Sequence, residues 1–454
     1  MKSLYGFAMS LFALALASCG GGSLASPPIV GGHTSVQPPA TESVLYFFKG
    51  APDAAFPYGG LLVRGHDEFL GISNGGGTTL PSGLAPGAVY EVSSAGQESV
   101  LYSFQGGNDG VGSEGGLVAD NMGNLFGTTQ VGGGSTACTN GCGVVFEMQR
   151  NHGIYAERVI YAFAGGSDGA VPLTRLTVAS DGVLYGTTAF GGAGSCTGVG
   201  GVTGCGTVFS LTPSGSTYTE KIIYRFTGGK DGESPRAGLM LDSKGALYGT
   251  TDFGGNTHAA CLKDFAGNPS CGVVFKITRG GQKNILYRFN GGATDGANPR
   301  AAVLRTTHGR LVGLTVFGGP GCGGTGCGTA YELTPSGNSY TERVIYFFGQ
   351  TSSDGAHPFD ADGLTSDVAG HLYGTTELST QSPCGCGTVF ELTPTPSGYS
   401  ERVLHFFTAA GSDGALPFAS VVLKDHALYG TTYQGGSYCY GSSTSCGSVY
   451  KVAL

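Results

Sequence analysis

Charged residues are scarce in this 454-residue sequence: Asp, Glu, Lys and Arg make up only 12% of the chain, and the formal net charge is −8. A protein that binds nucleic acid needs a basic surface to neutralise phosphates. A protein that adheres to anionic lipid by charge needs a basic patch. The sequence provides neither, so its composition argues against both kinds of partner.

Helical patterns of apolar residues are absent after the first 20 residues. No later apolar run approaches the roughly 20 residues of a membrane-spanning helix. Glycine, by contrast, contributes 85 residues, and the short apolar segments end in Asp-x-x-Gly or Thr-Pro-Ser-Gly turns. Several segments are apolar on both faces, as in small sheets that stack on one another. The pattern predicts an all-β protein.

One unit of about 60 residues recurs seven times between Val44 and the last residue. Each copy contains a Tyr-x-Phe segment, in which the seventh copy has His405 in place of Tyr, and a Gly-Thr-Thr tripeptide that is degraded in two copies. Each unit divides into four short strands separated by turns. Seven four-stranded units predict a seven-bladed β-propeller, with a β-helix as the alternative.

The two ends of the repeat region predict how the ring closes. Residues 44–48 form an unpaired outer strand ahead of the first copy, and the last copy stops after its third strand at residues 448–452. Pairing of the N-terminal strand with the last blade hides two sheet edges that would otherwise invite aggregation. We therefore predict a closed propeller over residues 43–454.

Twelve of the 13 cysteines form pairs, one pair in each of six successive repeats. The number of residues between partners varies, whereas the second cysteine is always followed by Gly and a strand-like segment. A metal site usually keeps its ligand spacing, so the pattern favours disulfides that staple the base of a variable loop. A single residue between the partners of the fifth pair makes acceptable disulfide geometry difficult there. The predicted pairs are Cys138/Cys142, Cys196/Cys205, Cys261/Cys271, Cys322/Cys327, Cys384/Cys386 and Cys439/Cys446.

The thirteenth cysteine, Cys19, ends a segment typical of an export signal. Lys2 precedes an apolar run over residues 4–17 that is too short to span a membrane. The sequence Leu-Ala-Ser-Cys at residues 16–19 resembles the lipobox of bacterial lipoproteins. The resemblance implies cleavage before Cys19 and acylation of its thiol and new amino group, and two or more acyl chains anchor stably. An ordinary secretory signal is the alternative.

The chain thus divides into three predicted parts. Residues 1–18 are the lipoprotein signal peptide, residues 19–42 are the acylated cysteine with a tether rich in Gly, Ser and Pro, and residues 43–454 are the propeller. By the same resemblance, Gly20 disfavours retention at the inner membrane. We expect an exported protein that a lipid anchor holds at the outer membrane or cell surface, where disulfides form.

The repeat also carries a family resemblance. Its pattern Tyr-x-Phe-x-Gly-Gly-x-Asp-Gly, Leu-Tyr-Gly-Thr-Thr and Cys-Gly-Thr-Val-Phe is similar to the GloVer-type tandem repeat of bacterial surface proteins. Members of that family share the repeat but differ in their attachment signal. The resemblance extends over residues 44–454 and implies an exported, surface-attached protein. It implies no activity.

Length variation and cross-links are predicted to lie on one face of the propeller. In a four-stranded blade, the loop between the second and third strands shares a face with the connection to the next blade. The first holds the cysteines and the second holds the Gly-Gly-x-Asp-Gly-x-x-Pro motif. We call this surface the stapled face. Loops on a rigid scaffold commonly carry function, so the stapled face is the predicted working surface.

One aspartate recurs in every copy, before the Gly of that motif. Seven equivalent acids suggest either a ring of calcium sites or carboxylates that fix a turn by accepting backbone N–H groups. The second interpretation is favoured because every blade needs the turn. The Gly-Thr-Thr tripeptides are likewise interpreted as structural. The aspartates are Asp53, Asp109, Asp168, Asp231, Asp295, Asp354 and Asp413.

Function on a symmetric ring is expected where the symmetry breaks. The sixth copy inserts two residues and brings Asp354, His357, Asp360 and Asp362 close in sequence, and three of these, Asp354, Asp360 and Asp362, are a candidate site for a hard cation such as calcium. A solvated loop is the alternative.

The stapled loops hold further candidates. The fourth copy has the most polar stapled loop, with His258, Lys263 and Asp264. Aromatic residues in these loops either stack on sugar rings or peptide side chains, or belong to the local core. The local core is favoured for the three Phe residues because they share one repeat position. These aromatic residues are Phe190, Phe253, Phe317, Tyr433, Tyr438 and Tyr440.

Three classes of function remain compatible with the sequence. The preferred hypothesis is a monomeric, non-catalytic surface module that binds an extracellular glycan, peptide or protein through the stapled face. The alternative is an extracytoplasmic hydrolase or lyase with its site at the channel mouth, for which His357, Asp360 and Asp362 are the only predicted cluster of titratable groups. The third is a purely structural envelope protein. No catalytic residue and no firmly predicted cofactor emerge.

Overall fold

A computed structural model describes residues 40–198, 201–337, 339–359, 362–380, 385–396, 398–409, 413–436 and 445–454. The described residues contain no α-helix, and their strands form seven antiparallel four-stranded sheets that surround a central channel. The predicted seven-bladed β-propeller is therefore confirmed. No helix in these ranges is long and apolar enough to cross a membrane.

The first strand of each blade lies innermost and the fourth outermost. Ahead of blade 1 lie β1 (Glu42–Phe47) and β2 (Ala54–Pro57). Blade 1 contains β3 (Leu62–Arg64), β4 (Glu68–Gly76), β5 (Ala88–Ser93) and β6 (Glu98–Ser103). Blade 2 contains β7 (Val118–Ala119), β8 (Leu125–Thr129), β9 (Val144–Asn151) and β10 (Ile154–Ala162). Blade 3 contains β11 (Thr177–Val178), β12 (Leu184–Thr188), β13 (Thr207–Ser214) and β14 (Thr217–Arg225). Blade 4 contains β15 (Met240–Leu241), β16 (Leu247–Thr251), β17 (Val273–Ile277) and β18 (Lys283–Arg288).

The remaining blades are interleaved with two-residue strands that form small ribbons at the stapled face. These ribbons pair β19 (Gly296–Ala297) with β22 (Phe317–Gly318), β25 (Gly355–Ala356) with β28 (Leu378–Ser379), and β31 (Gly414–Ala415) with β34 (Gln434–Gly435). Blade 5 contains β20 (Leu304–Arg305), β21 (Leu311–Thr315), β23 (Thr329–Ser336) and β24 (Ser339–Phe347). Blade 6 contains β26 (Thr365–Ser366), β27 (Leu372–Thr376), β29 (Thr388–Thr395) and β30 (Gly398–Phe406). Blade 7 contains β32 (Val422–Lys424), β33 (Ala427–Thr432) and β35 (Ser448–Ala453), completed by β1.

The ring closes through the N-terminal strand, as predicted. β1 pairs antiparallel with β35, from Glu42 opposite Val452 to Phe47 opposite Ser448. One residue later, the Phe48 N–H donates to the Gly447 carbonyl at 3.0 Å. The first and last segments of the repeat region thus belong to one sheet, and β1 covers the edge of β35 that would otherwise be unpaired.

Aromatic rings join each blade to the next. A Phe at the end of every outer strand is buried and stands edge-on to the third-strand aromatic residue of the following blade, with centroid distances of 4.8–5.2 Å. At the same junction, the Gly of Gly-Thr-Thr allows a close approach: a Cβ on Gly249 would lie 2.7 Å from the Phe275 ring. The seven joining residues are Phe48, Phe104, Phe163, Phe226, Phe289, Phe348 and Phe407.

The threonines that follow this Gly have structural roles, in agreement with their interpretation from the sequence. The first threonine donates to a carbonyl at the inner strand of the next blade, as Thr250 Oγ1 does to Ala301 at 3.3 Å. The last blade does the same to the first, where Thr431 Oγ1 donates to Gly59 at 3.4 Å. These hydroxyls are therefore engaged between blades.

The central channel contains a carboxylate from the insertion in the sixth copy. Asp362 reaches across from blade 6, and its Oδ2 accepts a hydrogen bond from the Gly60 N–H of blade 1 at 3.0 Å. The same oxygen lies against Gly116 of blade 2. A cavity of about 380 Å³ opens beside it, lined by inner-strand residues that include Arg175 and Leu239. The insertion therefore places a side chain in the lumen.

Candidate binding site at the channel mouth

The stapled loops are cross-linked at the base, at the points where the third strands begin. Disulfides join Cys138 to Cys142, Cys196 to Cys205, Cys261 to Cys271 and Cys322 to Cys327, with Cα separations of 5.0–5.2 Å. These are four of the six predicted pairs. Cys386 and Cys446 are also disulfide-bonded. Their predicted partners, Cys384 and Cys439, lie outside the described residues.

A left-handed backbone turn follows each joining Phe and leads to the inner strand of the next blade. The turn residue precedes Pro in six copies and Ser113 in the other. Its φ lies between 54° and 64° in all seven copies, although only one of them is Gly. This region is unfavourable for β-branched and bulky residues, so the surrounding bonds must hold the turn in place. The turn residues are Phe56, Gly112, Val171, Ser234, Asn298, His357 and Leu416.

The disulfides hold these turns through the backbone. In six copies the N–H of the turn residue donates to the carbonyl of the second cysteine of the preceding staple, at 2.7–2.9 Å; Val171 and Cys142 form one such pair. In six copies its carbonyl accepts a hydrogen bond from the residue after Gly-Thr-Thr, at 2.8–3.3 Å; Asp252 donates to Ser234 in this way at 3.0 Å. One turn therefore fixes two side-chain positions per blade.

Two residues of each blade lie where the stapled face meets the channel, namely the residue after Pro and the residue after Gly-Thr-Thr. We call these two sets of residues the mouth positions. Their side chains differ in charge and polarity from blade to blade, whereas the residues that hold them repeat. The first set is Tyr58, Glu114, Leu173, Arg236, Arg300, Phe359 and Phe418. The second set is Asn74, Gln130, Ala189, Asp252, Val316, Glu377 and Tyr433.

Two arginines share a fully buried aspartate on one side of the mouth. Arg300 donates from Nε to Asp252 Oδ2 at 3.0 Å, and its Nη2 lies 2.9 Å from the same oxygen. Arg236 Nε is 3.9 Å from that oxygen and donates to Ser234 Oγ at 3.1 Å. The arginine side chains remain 11–12% exposed, whereas Asp252 is fully covered. The guanidinium groups therefore face the mouth, with Asp252 behind them.

Two glutamates flank this ion cluster. The Glu114 Oε1 accepts a hydrogen bond from Gln130 Nε2 at 2.9 Å. Burial raises the pKa of Glu114, and the nearby positive charges of Arg236 and Arg300 oppose that rise. Burial likewise raises the pKa of Glu377 to about 7, against the opposing charge of Arg300. Glu377 can therefore give or accept a proton near neutral pH.

The other side of the mouth is aromatic. Tyr58 stacks on Phe418 with centroids 4.9 Å apart and stands edge-on to Tyr433 at 5.8 Å. Tyr433 also lies 5.3 Å from Phe56, and both of these rings are partly exposed. Arg300 lies over the Phe359 ring at 5.1 Å, which joins the aromatic side to the charged side. Burial raises the pKa of Tyr58, which therefore stays a neutral hydroxyl.

The aspartates of the predicted cation site lie in different parts of the ring. Asp354 is at the outer rim, where it accepts hydrogen bonds from Tyr346 Oη and the Gln350 N–H, both at 3.0 Å. Asp362 is in the lumen, and Asp360 lies outside the described residues. The structure does not bring Asp354 and Asp362 together, and calcium in this loop stays a prediction.

The seven recurring aspartates all accept bonds that fix the turn, in agreement with the favoured interpretation. Asp53 shows the pattern: it accepts from the Lys49 N–H at 2.9 Å and from the Ala54 N–H at 2.7 Å.

His357 is one of the left-handed turn residues, and its ring contacts the Phe317 ring, with the two centroids 4.9 Å apart. Burial lowers the pKa of His357 to about 4, so its ring is neutral at physiological pH.

The aromatic residues of the stapled loops divide as the sequence analysis favoured. Phe190, Phe253 and Phe317 are buried and belong to the local core. Tyr433 is at the mouth, whereas Tyr438 and Tyr440 lie outside the described residues. In the stapled loop of the fourth repeat copy, Asp264 accepts hydrogen bonds from its own loop, and the neighbouring Phe265 ring lies 5.8 Å from the Arg236 guanidinium.

Sequence reasoning missed the mouth positions apart from Tyr433. A signal was present: aligning the seven copies at the residue after Pro and at the residue after Gly-Thr-Thr shows two columns of unlike residues within a conserved pattern. Those columns contain Glu114, Arg236, Asp252, Arg300 and Glu377. Inserted residues mark only the sixth copy, whereas this site arises by substitution at fixed positions of several copies.

The chain is similar to solved structures at low sequence identity and with TM-scores below 0.5. Among solved structures, an ulvan lyase of polysaccharide lyase family PL25 is 11% identical, with 90% of this chain and 96% of that chain covered and a TM-score of 0.47. A gluconolactonase from Xanthomonas campestris is 10% identical, with 91% and 89% covered and a TM-score of 0.39. Likeness at this level carries no information about activity. No curated protein matches the chain.

A family model named Gloeobacter/Verrucomicrobia repeat matches residues 31–199 and 195–444. The two matches together extend over residues 31–444, which contain every strand of the propeller except β35. They agree with the repeat pattern by which the sequence resembles GloVer-type proteins. The chain belongs to the Gloeobacter/Verrucomicrobia repeat (GloVer) family.

Proposed function

We propose that this protein binds carbohydrate at the channel mouth of the stapled face. The observation that carries the proposal is the contrast between the repeated turns and the unlike side chains that they hold. A residue needed for the fold is expected in every blade, whereas a binding site needs different groups at different places. The mouth positions carry different groups in different blades, as a binding site requires.

The distribution of these groups fits a sugar. One side offers the partly exposed rings of Tyr433 and Phe56, against which the apolar face of a sugar ring can rest. The other side offers guanidinium donors and the carboxylates of Glu114 and Glu377, which match hydroxyl groups. Donors and acceptors lie within one concave region, as required for a ligand that has both.

The disulfides fit an extracytoplasmic location. We propose in addition that Cys19 carries acyl chains that hold the protein at the outer membrane or cell surface. The stapled face would then meet extracellular glycans.

A glycan array, followed by titration calorimetry on each hit, tests the proposal with the exported, oxidised protein. Tyr433→Ala removes the exposed aromatic face, and Glu377→Gln removes a carboxylate without changing its shape. Each is expected to weaken binding about tenfold or more, since a lost aromatic or charged contact costs on the order of 1–3 kcal/mol. Tyr185→Ala, on a second strand away from the mouth, is the matched control and should bind like the parent. No array hit, or hits that survive both mouth substitutions, would refute the proposal.

A second candidate function is cleavage of the bound saccharide by a hydrolase or lyase reaction. It is favoured by one observation, the pKa of about 7 for Glu377 beside Arg300, which suits a group that transfers protons near neutral pH. Incubating each array hit with the protein and separating the products tests it. Turnover that Glu377→Gln abolishes at ligand concentrations that still saturate the variant would identify an enzyme. Intact ligand after long incubation would favour a binding protein without catalytic activity.

A further inference from the structure

A glutamate recurs on the outer strand of almost every blade, at a position the binding site does not use. It stands four residues before the Tyr of Tyr-x-Phe, so its side chain lies on the outer rim. Six of the seven copies have Glu here, and the fourth blade has Lys283. The six residues are Glu42, Glu98, Glu157, Glu220, Glu342 and Glu401.

Each glutamate faces the recurring aspartate that leads into its own blade. Glu98 is within hydrogen-bonding reach of Asp53, and Glu157 of Asp109. At the closing junction, Glu42, His405 and Asp413 each offer an atom within 4.8 Å of the others. We call these contacts acidic seams. The six seams are Glu98/Asp53, Glu157/Asp109, Glu220/Asp168, Glu342/Asp295, Glu401/Asp354 and Glu42/Asp413.

At least one oxygen of each seam aspartate already has donors, although Oδ1 of Asp109, Asp168 and Asp354 is buried without one. The Tyr hydroxyl of the preceding outer strand donates to it at 2.8–3.1 Å in the blades that have Tyr, as Tyr102 does to Asp109. Lys49 N–H and its equivalents supply backbone donors. The glutamate is different, because Oε1 of all six glutamates is buried and has no hydrogen-bond donor among the described residues. An unsatisfied buried carboxylate oxygen beside a second carboxylate is unfavourable.

The third blade meets the fourth through a different pair, which shows how a seam can be satisfied. Lys283 replaces the glutamate there, and its Nζ lies 2.7 Å from Asp231 Oδ1. The ammonium group supplies the donor that the acidic seams lack, and the pKa of Asp231 is lowered as a net result. This junction is closed by a positive charge in place of a second carboxyl group.

We infer that each acidic seam is closed by one proton shared between its glutamate and its aspartate, so that the junctions between blades weaken as that proton is lost. A carboxylic acid on Glu98 donates to the Asp53 carboxylate and removes the like-charge repulsion. Loss of the proton leaves two carboxylates in contact. Six of the seven junctions share this arrangement, so the effect applies to the whole ring.

The electrostatic environment agrees with this geometry. Burial, and then the charge of the facing aspartate, raises the pKa of Glu98 to about 8 and that of Glu157 to about 7. The same two causes raise the pKa of Glu342 to about 7 and that of Glu401 to about 8. Burial, followed by like charge, also raises the pKa of Glu220.

Opposing positive charges are few. Lys49 faces Glu98, and Arg225 faces Glu220. At the closing junction, burial raises the pKa of Glu42 while the positive charge of His405 opposes that rise. The hydroxyl groups of Tyr102 and Tyr287 lie near Glu157 and Glu342, respectively, and oppose the rise of their pKa values. None of these groups reverses the net upward shift.

The sign of the pH dependence follows from these directions. A glutamate whose pKa is higher in the folded state than in the unfolded chain contributes stability that is fully present below the unfolded value, about 4.3. That contribution is lost as pH rises through the folded values of about 7 to 8. The propeller should therefore be more stable at pH 5 than at pH 8.5, the reverse of a protein in which acids form salt bridges.

Melting temperatures of the exported, oxidised protein between pH 5 and pH 8.5 test the inference. The parent should melt progressively lower as pH rises. The triple variant Glu98→Gln, Glu157→Gln and Glu401→Gln has amide donors at three of the six seams at every pH. It should melt like the parent at pH 5, melt higher at pH 8.5, and lose about half of the pH dependence that the six seams contribute.

Two further measurements separate a shared proton from general surface charge. Lys283→Gln removes the ammonium group and should lower the melting temperature similarly at both pH values. Unfolding by denaturant in weakly buffered solution at pH 6.5 should release protons, and fewer from the triple variant. A parent whose melting temperature is constant or rises with pH, or a triple variant with the parent's slope and proton release, would overturn the inference. Should the triple variant not fold, Glu401→Gln alone gives the same comparison at one seam.

Discussion

Truncation of Phe48 to Ala tests whether the N-terminal strand closes the ring. Phe48 follows β1 and stands against Tyr90 of blade 1 at 4.8 Å, so its ring joins the last blade to the first. Phe226 makes the equivalent contact with Phe275 at 5.2 Å, between blades 3 and 4. Both side chains are 0% exposed. Removing a buried Phe ring costs about 3–5 kcal/mol of unfolding free energy through lost burial and the cavity left behind.

If β1 is as firmly held as an internal strand, Phe48→Ala and Phe226→Ala should destabilise the protein equally, each by about 3–5 kcal/mol. The free energies of unfolding are measured by urea titration at 25 °C, followed by far-UV circular dichroism because the chain has no tryptophan. A loss below about 1 kcal/mol for Phe48→Ala beside a full loss for Phe226→Ala would mean that β1 frays without cost. The closure described here would then be wrong.

Two further predictions concern the repeat and the anchor. Gly249→Ala places a Cβ 2.7 Å from the Phe275 ring and 2.9 Å from Leu239, so the free energy of unfolding should fall by about 1–3 kcal/mol. The control is Gly267→Ala, whose Cβ would meet no atom within 4 Å; it strains a positive φ and should cost less. Urea titration measures both free energies of unfolding. Equal losses would contradict the close approach. Cys19→Ser should release the protein from the outer membrane fraction or leave an uncleaved precursor, as fractionation and immunoblotting will show; a variant that fractionates like the parent would exclude the lipid anchor.

The fold was predictable because its determinants are repeated. The Phe of Tyr-x-Phe and the Gly of Gly-Thr-Thr recur in all seven copies, although His405 replaces one Tyr and two of the tripeptides are degraded. They place the same aromatic contact and the same tight packing in every blade, so the structure of one blade predicts the others. Closure was also predictable, since an outer strand without a sheet precedes a sheet without an outer strand. The cysteine pairs followed from their fixed position before the third strand, and four of them lie in described residues.

The candidate site was not predictable in the same way. Glu114 and Glu377 are more than 260 residues apart in the sequence, and only ring closure makes both of them neighbours of Arg300. The insertion in the sixth copy did mark a departure from symmetry, but it placed Asp362 in the lumen and left Asp354 at the rim. The predicted cation site relied on proximity in sequence, but residues that are close in a propeller loop can lie at different distances from the channel axis.

The position of Asp362 limits how a long ligand can approach. Its carboxylate extends from blade 6 to Gly60 of blade 1, two blades along the ring, and lies against Gly116 of blade 2, so it narrows the channel between the two faces of the disc. We therefore expect that a polysaccharide chain does not pass through the channel from one face of the propeller to the other. We expect recognition of a chain terminus or a short side branch that enters from the stapled face and leaves by the same opening. On a long polymer such sites are few, so the number of bound molecules should follow the number of chain ends and branches rather than the total length of the polymer.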